Sequence, residues 1–155
     1  MCFLQELKDS AAEAQAHGNM GLTRMNLLHF EEAIANFEKE LECLDARLVA
    51  SGQAPPPAAS PSANGVAAPP PPAAPATKEK ARALGSLGDC FDALGDYNQS
   101  VRYHEQFLRL ALETGSLRDQ DKAYRGLGLA NKNLGNLQEA LVSFVRLSSQ
   151  VLNKQ

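Results

Sequence analysis

The feature that most constrains this chain is that it repeats itself. The stretch LGDCFDALGDYNQSVRYHEQFL at 87–108 lies over LGLANKNLGNLQEALVSFVRLS at 127–148. Gly88 then falls on Gly128, Leu94 on Leu134, Gly95 on Gly135, Asp96 on Asn136 and Ser100 on Ala140, an offset of 40 residues. An earlier copy, MGLTRMNLLHFEEAIANFEKEL at 20–41, falls on the middle one at an offset of 67. It places Gly21 on Gly88, Leu27 on Leu94, Phe30 on Tyr97, Ala33 on Ser100, Phe37 on His104 and Leu41 on Leu108. Repeats of this length are supersecondary units that bury their apolar faces only by stacking on one another.

The longer offset exceeds the shorter by 27 residues (67 − 40), almost the length of one segment of unusual composition. Residues 50–77 hold all nine prolines, ten alanines and no charge. Proline removes a backbone donor and biases the residue before it away from helix. The segment therefore reads as a disordered or polyproline II linker inserted between two copies of the unit. The expected organisation is a first unit over 1–49, a linker over 50–77, and the second and third units over 78–155.

Both flanks lack proline and are rich in helix formers, with apolar residues recurring at three and four: Leu84, Leu87, Phe91 and Leu94, then Val101, His104, Leu108 and Ala111. Each unit thus reads as two helices. A glycine inside a helix costs about 1 kcal/mol against alanine, so its recurrence at 21, 88 and 128 needs a packing reason: a second helix approaching closely. Ala33, Ser100 and Ala140 are the matching small positions on that second helix. Gly95 and Gly135 are expected to take the left-handed conformation that ends a helix, and Asp96 and Asn136 to cap the next one.

On these residues the chain resembles the tetratricopeptide repeat family, whose signature is a Leu-Gly pair, an aromatic, an alanine and a second aromatic at fixed spacing. The middle unit offers Leu87-Gly88, Tyr97, Ser100 in the alanine place and His104; the last offers Leu127-Gly128, Leu137, Ala140 and Phe144. The period exceeds the usual ~34 residues and is similar to a long-repeat subgroup that includes Pins-type spindle-orientation scaffolds. HEAT-type units of about 40 residues compete on length but lack the Leu-Gly and Gly-Asp-aromatic spacing. The first unit departs most, with Met20 for leucine and Leu28 for the turn glycine. The resemblance implies an all-α array of helical hairpins wound as a right-handed superhelix, interrupted by the Pro/Ala-rich insertion.

Both ends look cut. Phe3–Asp9 match Leu110–Ser116 and are expected to be the tail of a preceding helix, while Val145, Leu147, Val151 and Leu152 form an apolar stripe with no polar capping helix after it.

The chain of 155 residues carries a net charge of −3, which gives no reason to expect nucleic acid or an anionic membrane as partner. No apolar run approaches the ~18 residues of a membrane span. An odd set of cysteines, Cys2, Cys43 and Cys90, argues for a reducing compartment. A cytoplasmic protein is expected. His17, His29 and His104 are far apart and none has metal-ligand spacing with a cysteine. His104 occupies a packing position, and Cys90 should be half-buried and inert. No nucleophile triad, phosphate loop or dinucleotide fingerprint is present, so neither enzyme, cofactor nor metal is expected. Asn98-Gln99-Ser100 spells a glycosylation acceptor inside a helix and is read as chance. The proline tracts at 55–57 and 69–72 lack the basic or tyrosine neighbours that would orient an SH3 or WW partner, which favours the linker reading.

The concave face is the candidate site. The resemblance places ligand-facing side chains at 82, 85, 89, 92 and 93 in the middle unit and at 122, 125, 129, 132 and 133 in the last. These supply Arg82, Asp89 and Asp92, then Lys122, Arg125, Lys132 and Asn133; the first unit supplies Asn19, Met25 and Asn26. Basic residues with asparagine amides suit a carboxylate-bearing extended peptide. The chaperone-tail clamp of this family needs lysine and asparagine where this chain has Gly18 and Leu22, so that clamp is incomplete. The expected role is a non-catalytic scaffold for a protein or acidic peptide, by resemblance in cell-division or cytoskeletal assemblies. The alternative is self-association through the C-terminal apolar stripe.

Overall fold

A computed structural model describes residues 2–50 and 75–152. These form six helices, α1 (Cys2–Asn26), α2 (Phe30–Ala50), α3 (Pro75–Leu94), α4 (Tyr97–Glu113), α5 (Leu117–Leu134) and α6 (Leu137–Leu152), and no strand is present among the described residues. Each helix packs on the next in the chain, and α3 also touches α1 and α5, so the first helices of the three hairpins share one side. The architecture is the expected all-α array of stacked hairpins.

The repeat register is reproduced atom against atom. A Cβ built on Gly21 would lie 2.7 Å from the Phe37 ring, one on Gly88 would lie 2.6 Å from the His104 ring, and one on Gly128 would lie 2.6 Å from the Phe144 ring. The three glycines sit at equivalent contacts, each opened to admit the ring of its own second helix. Ala33, Ser100 and Ala140 are buried at the matching places. The core runs through the stack: Ala33, Phe37, Leu87 and Cys90 form one cluster spanning α2 and α3, and Ala81, Leu84, Phe107 and Ala123 form another spanning α3, α4 and α5. Phe91 and Tyr103 stack with ring centroids 5.3 Å apart. Cys90 is fully enclosed rather than half-buried, and burial pushes its thiol up to about 11, which leaves it protonated at neutral pH.

The turns follow the sequence with one substitution of chemistry. Gly95 and Gly135 adopt φ of +80° and +83°, and Asp96 caps α4 by accepting from the Gln99 amide. Asn136 stands at the same place before α6, its amide nitrogen donating to Asn131 Oδ1 (3.3 Å). In the first unit the left-handed residue is Leu28, at φ +63° and largely exposed.

Two boundaries differ from the sequence reading. Phe3–Asp9 are not the tail of a separate helix but lie within α1, which runs unbroken from Cys2. No glycine separates Asp9 from Ser10-Ala11-Ala12, whereas Gly115 (φ +67°) interrupts the matching stretch between α4 and α5. At its end the expected linker gives way early, because α3 begins at Pro75. Proline is well suited to a first helical position, where its missing N–H would find no partner anyway. The rest of the expected linker, 51–74, and its proline tracts lie outside the described residues.

The junction across that insertion is polar as well as apolar. Arg47 pairs with Glu79 (3.4 Å), Lys80 with Asp45, and Arg82 with Glu40, all between α2 and α3. Glu40 is almost fully buried. Burial pushes its carboxyl above its ordinary value while the Arg82 guanidinium pulls it back.

Candidate functional site

Helices of a stacked array expose a face only where the neighbour does not cover it. Between α3 and α5 that face closes into a cleft of about 320 Å³. Its walls come from three-and-four spacing on the two helices: positions 82, 85 and 89 on α3, and 122, 125 and 129 on α5. Of the expected site residues, Arg82, Asp89, Lys122 and Arg125 line this cleft together. Gly85 and Gly126 open its floor, where the rings of Phe107 and His104 come up against them.

The cleft has a definite electrostatic character. Lys78, Arg82, Lys122 and Arg125 face Asp89 and Asp119. Asp119 is engaged at the start of α5, accepting from the Ser116 hydroxyl (2.7 Å) while Ser116 caps the helix. His104 adds no charge at neutral pH, because burial lowers it to about 4. The cleft therefore carries an excess of cations in a chain whose total charge is −3. Asp89 is raised from its ordinary value by desolvation, with Arg125 and Lys122 working against that. Leu129 is half-exposed on the lip and offers an apolar contact. Arg82 is not purely a groove residue, since it also holds Glu40.

The remaining expected residues lie elsewhere. Asp92 and Asn133 stand one turn further along their helices; burial raises the Asp92 carboxyl above its ordinary value, the nearby Asn133 works against that, and Asp92 Oδ1 is buried without a hydrogen-bond partner among the described residues. Lys132 is exposed and does not line the cleft. Met25 is half-buried and packs against the Phe37–Leu87–Cys90 cluster, so it serves the core rather than a groove. Asn19 lines a separate hollow on α1 with Met20, Thr23, Arg24, Leu27 and His29. Asn26 is exposed at the last position of α1 and lines neither.

Sequence reasoning did not single out Lys78, Asp119 or Gly126 as site residues. Lys78 opens the expected second unit, one turn before Arg82, and Asp119 precedes the ligand-facing positions of the last unit by one turn. The available signal for Gly126 was a second helical glycine two residues before Gly128, a costly choice without close packing. Among the described residues no three His, Cys, Asp or Glu side chains come together as metal ligands, and no helix is long and apolar enough to cross a membrane.

Comparison with known proteins bears on the fold. No curated protein sequence matches the chain significantly. Among solved structures, a TPR-like protein from Chlorobium tepidum TLS superimposes with a TM-score of 0.66 at 16% identity, covering 94% of this chain and 83% of that one. The tetratricopeptide repeat family pattern matches residues 83–118, the span from α3 through α4 to the start of α5. With the glycine–ring register repeated in all three hairpins, these findings support a tetratricopeptide repeat family for a chain whose fold is that of a TPR-like helical array.

Proposed function

We propose that this protein is a non-catalytic scaffold that holds an extended acidic segment of a partner protein in the cleft between α3 and α5. The observation that carries this reading is the cationic lining of Lys78, Arg82, Lys122 and Arg125 around a glycine-opened floor. Arginine and lysine bind carboxylates through charge-assisted hydrogen bonds, which gain strength where water is partly excluded. Leu129 at the lip supplies the apolar contact that an extended peptide makes with an alternate side chain. Resemblance to the long-repeat scaffolds supports a cytoplasmic setting in cell-division or cytoskeletal assemblies.

The test is fluorescence anisotropy with glutamate-rich and lysine-rich peptides of equal length. The glutamate-rich peptide binds, more weakly as salt rises, and the lysine-rich one does not. Reversing Lys122 and Arg125 to glutamate weakens binding by about tenfold or more, equivalent to ~1.4 kcal/mol. Lys132→Glu, outside the cleft, leaves it unchanged. Equal binding of both peptides, or survival of binding in the double reversal, excludes the cleft as the site.

A further inference from the structure

The first and last of the described hairpins present complementary halves of the junction that is repeated between them. On the second helices, positions 30, 34 and 37 of α2 correspond to 97, 101 and 104 of α4 and to Leu137, Leu141 and Phe144 of α6. Inside the stack this stripe is covered by the first helix of the next hairpin: Phe37 is 0% exposed and His104 is 3% exposed. On α6, Leu137 is 67%, Leu141 56% and Phe144 37% exposed.

The opposite face shows the same contrast. Leu87 of α3 and Leu127 of α5 are 0% and 6% exposed, and Leu87 and Cys90 are buried with Phe37 and Ala33 of the preceding α2. Met20 and Thr23 occupy those two positions on α1. Met20 is 42% exposed and Thr23 is exposed, and both line a hollow of about 420 Å³ with Asn19, Leu27, Arg24 and His29. The hollow lies where a preceding second helix would sit.

We propose that a second copy of this chain stacks head to tail on the first, with α1 of one molecule seated on α6 of the other. Met20 then lies against Phe144 of the partner copy as Leu87 lies against Phe37 within the chain. The internal α2–α3 and α4–α5 junctions supply the template, and this chain carries both halves of it. The contact is weaker than the internal ones, because Thr23 and Arg24 stand where α3 has Cys90 and Phe91. Such an interface is heterologous, so it propagates into open stacks or rings rather than ending at a two-fold dimer. Neither Met20 nor Leu141 lines the α3–α5 cleft, so this association and peptide binding succeed or fail independently.

Sedimentation velocity on the full chain over a concentration series tests the proposal. Mass rises with concentration beyond the dimer for the unaltered protein. Leu141→Glu with Leu137→Glu on α6, and separately Met20→Glu on α1, each give monomers of unchanged helicity by circular dichroism. Thr23→Arg is a second α1 variant at an exposed position, for use should Met20→Glu lose helicity. Mixing the α6 variant with an α1 variant restores a 1:1 dimer and nothing larger, because each contributes one intact face. A chain that stays monomeric at all concentrations overturns the proposal. So does an α1 variant that still dimerises, since the contact would then be α6 on α6, or a mixture that remains monomeric.

Discussion

In the second hairpin Gly85 lies over the ring of Phe107; at the same register in the first, Gly18 lies over the carboxyl group of Glu40, which takes the Arg82 guanidinium from α3. The two hairpins differ again at the turn, where Gly95 of the second is matched by Leu28 of the first, both at positive φ. The backbone plan survives both exchanges. What changes is the kind of energy that holds it: apolar burial in the second hairpin, a buried ion pair and a strained leucine in the first. A buried ion pair is poor evidence for net stability, since desolvation offsets most of its attraction. It does discriminate between neighbours, because any helix lacking the cation leaves Glu40 uncompensated.

The sharpest way to break this comparison is Arg82→Ala. It strands a carboxylate inside the stack and should cost about 3 kcal/mol in urea denaturation, the low end of the range for such pairs because Arg82 is itself partly exposed. Replacing both partners, Glu40→Leu with Arg82→Met, should restore most of that loss. A cost below ~1 kcal/mol for the single change would mean that water reaches Glu40 and the two hairpins are not different in kind.

The second hairpin has its own buried titratable group. His104 replaces the phenylalanine found at 37 and 144, and its Nδ1 has no hydrogen-bond partner among the described residues. Its folded value of about 4 lies below the ordinary 6.5, so the unfolded chain binds more protons between those values. Stability attributable to His104 is therefore complete above pH 6.5 and is lost as pH falls toward 4, by about 2 kcal/mol at pH 5. Glu40, raised by burial, contributes the opposite slope, because its folded form holds the proton more tightly. The comparison that isolates the histidine is the difference between the unaltered chain and His104→Phe, which should lose the acid-dependent component. An unchanged difference from pH 7 to pH 5 would contradict this.

A third comparison sets Gly21 against Gly128. Both face a phenylalanine ring at nearly the same distance, but Phe37 is enclosed and Phe144 has room to swing. Gly21→Ala should destabilise by about 1–2 kcal/mol, the overpacking cost less the gain in helix propensity, whereas Gly128→Ala should be near neutral. Equal effects would show that the end of the stack is as closed as its middle. The smallest effect belongs to the turn: Leu28→Gly should stabilise by about 1 kcal/mol by relieving the left-handed strain, measured as a rise in the urea midpoint at constant m-value.

Much of this was legible because repetition converts a sequence into its own alignment. Gly88 and Gly128 predicted the close approach of a second helix, and Gly95 and Gly135 predicted the left-handed turns. Glu40 was legible by the same device, since it falls on Phe107 and Leu147 in the other copies, and a charge at an apolar register position asks for a partner. The length of α1 was not, because Phe3–Asp9 resemble a helix end in composition and only the absence of a turn residue distinguishes them. At the site, the family resemblance gathered Arg82, Asp89, Lys122 and Arg125 on facing helices. It did not show that Met25 would be drawn into the core, or that Asp92 Oδ1 would be buried without a partner, because both depend on how far neighbouring helices diverge.

Helix α3 docks on α2 although 24 residues lie between Ala50 and Pro75. The adjacency is therefore encoded by surfaces, Leu87 and Cys90 against Phe37 and three cross-helix ion pairs, rather than by tethering. Loop-closure entropy grows only logarithmically, so doubling such a connection costs about 0.6 kcal/mol. The joint should therefore act as a permissive port, open to nicking, grafted tags or exchange of the intervening residues, and two halves supplied as separate polypeptides should find each other again.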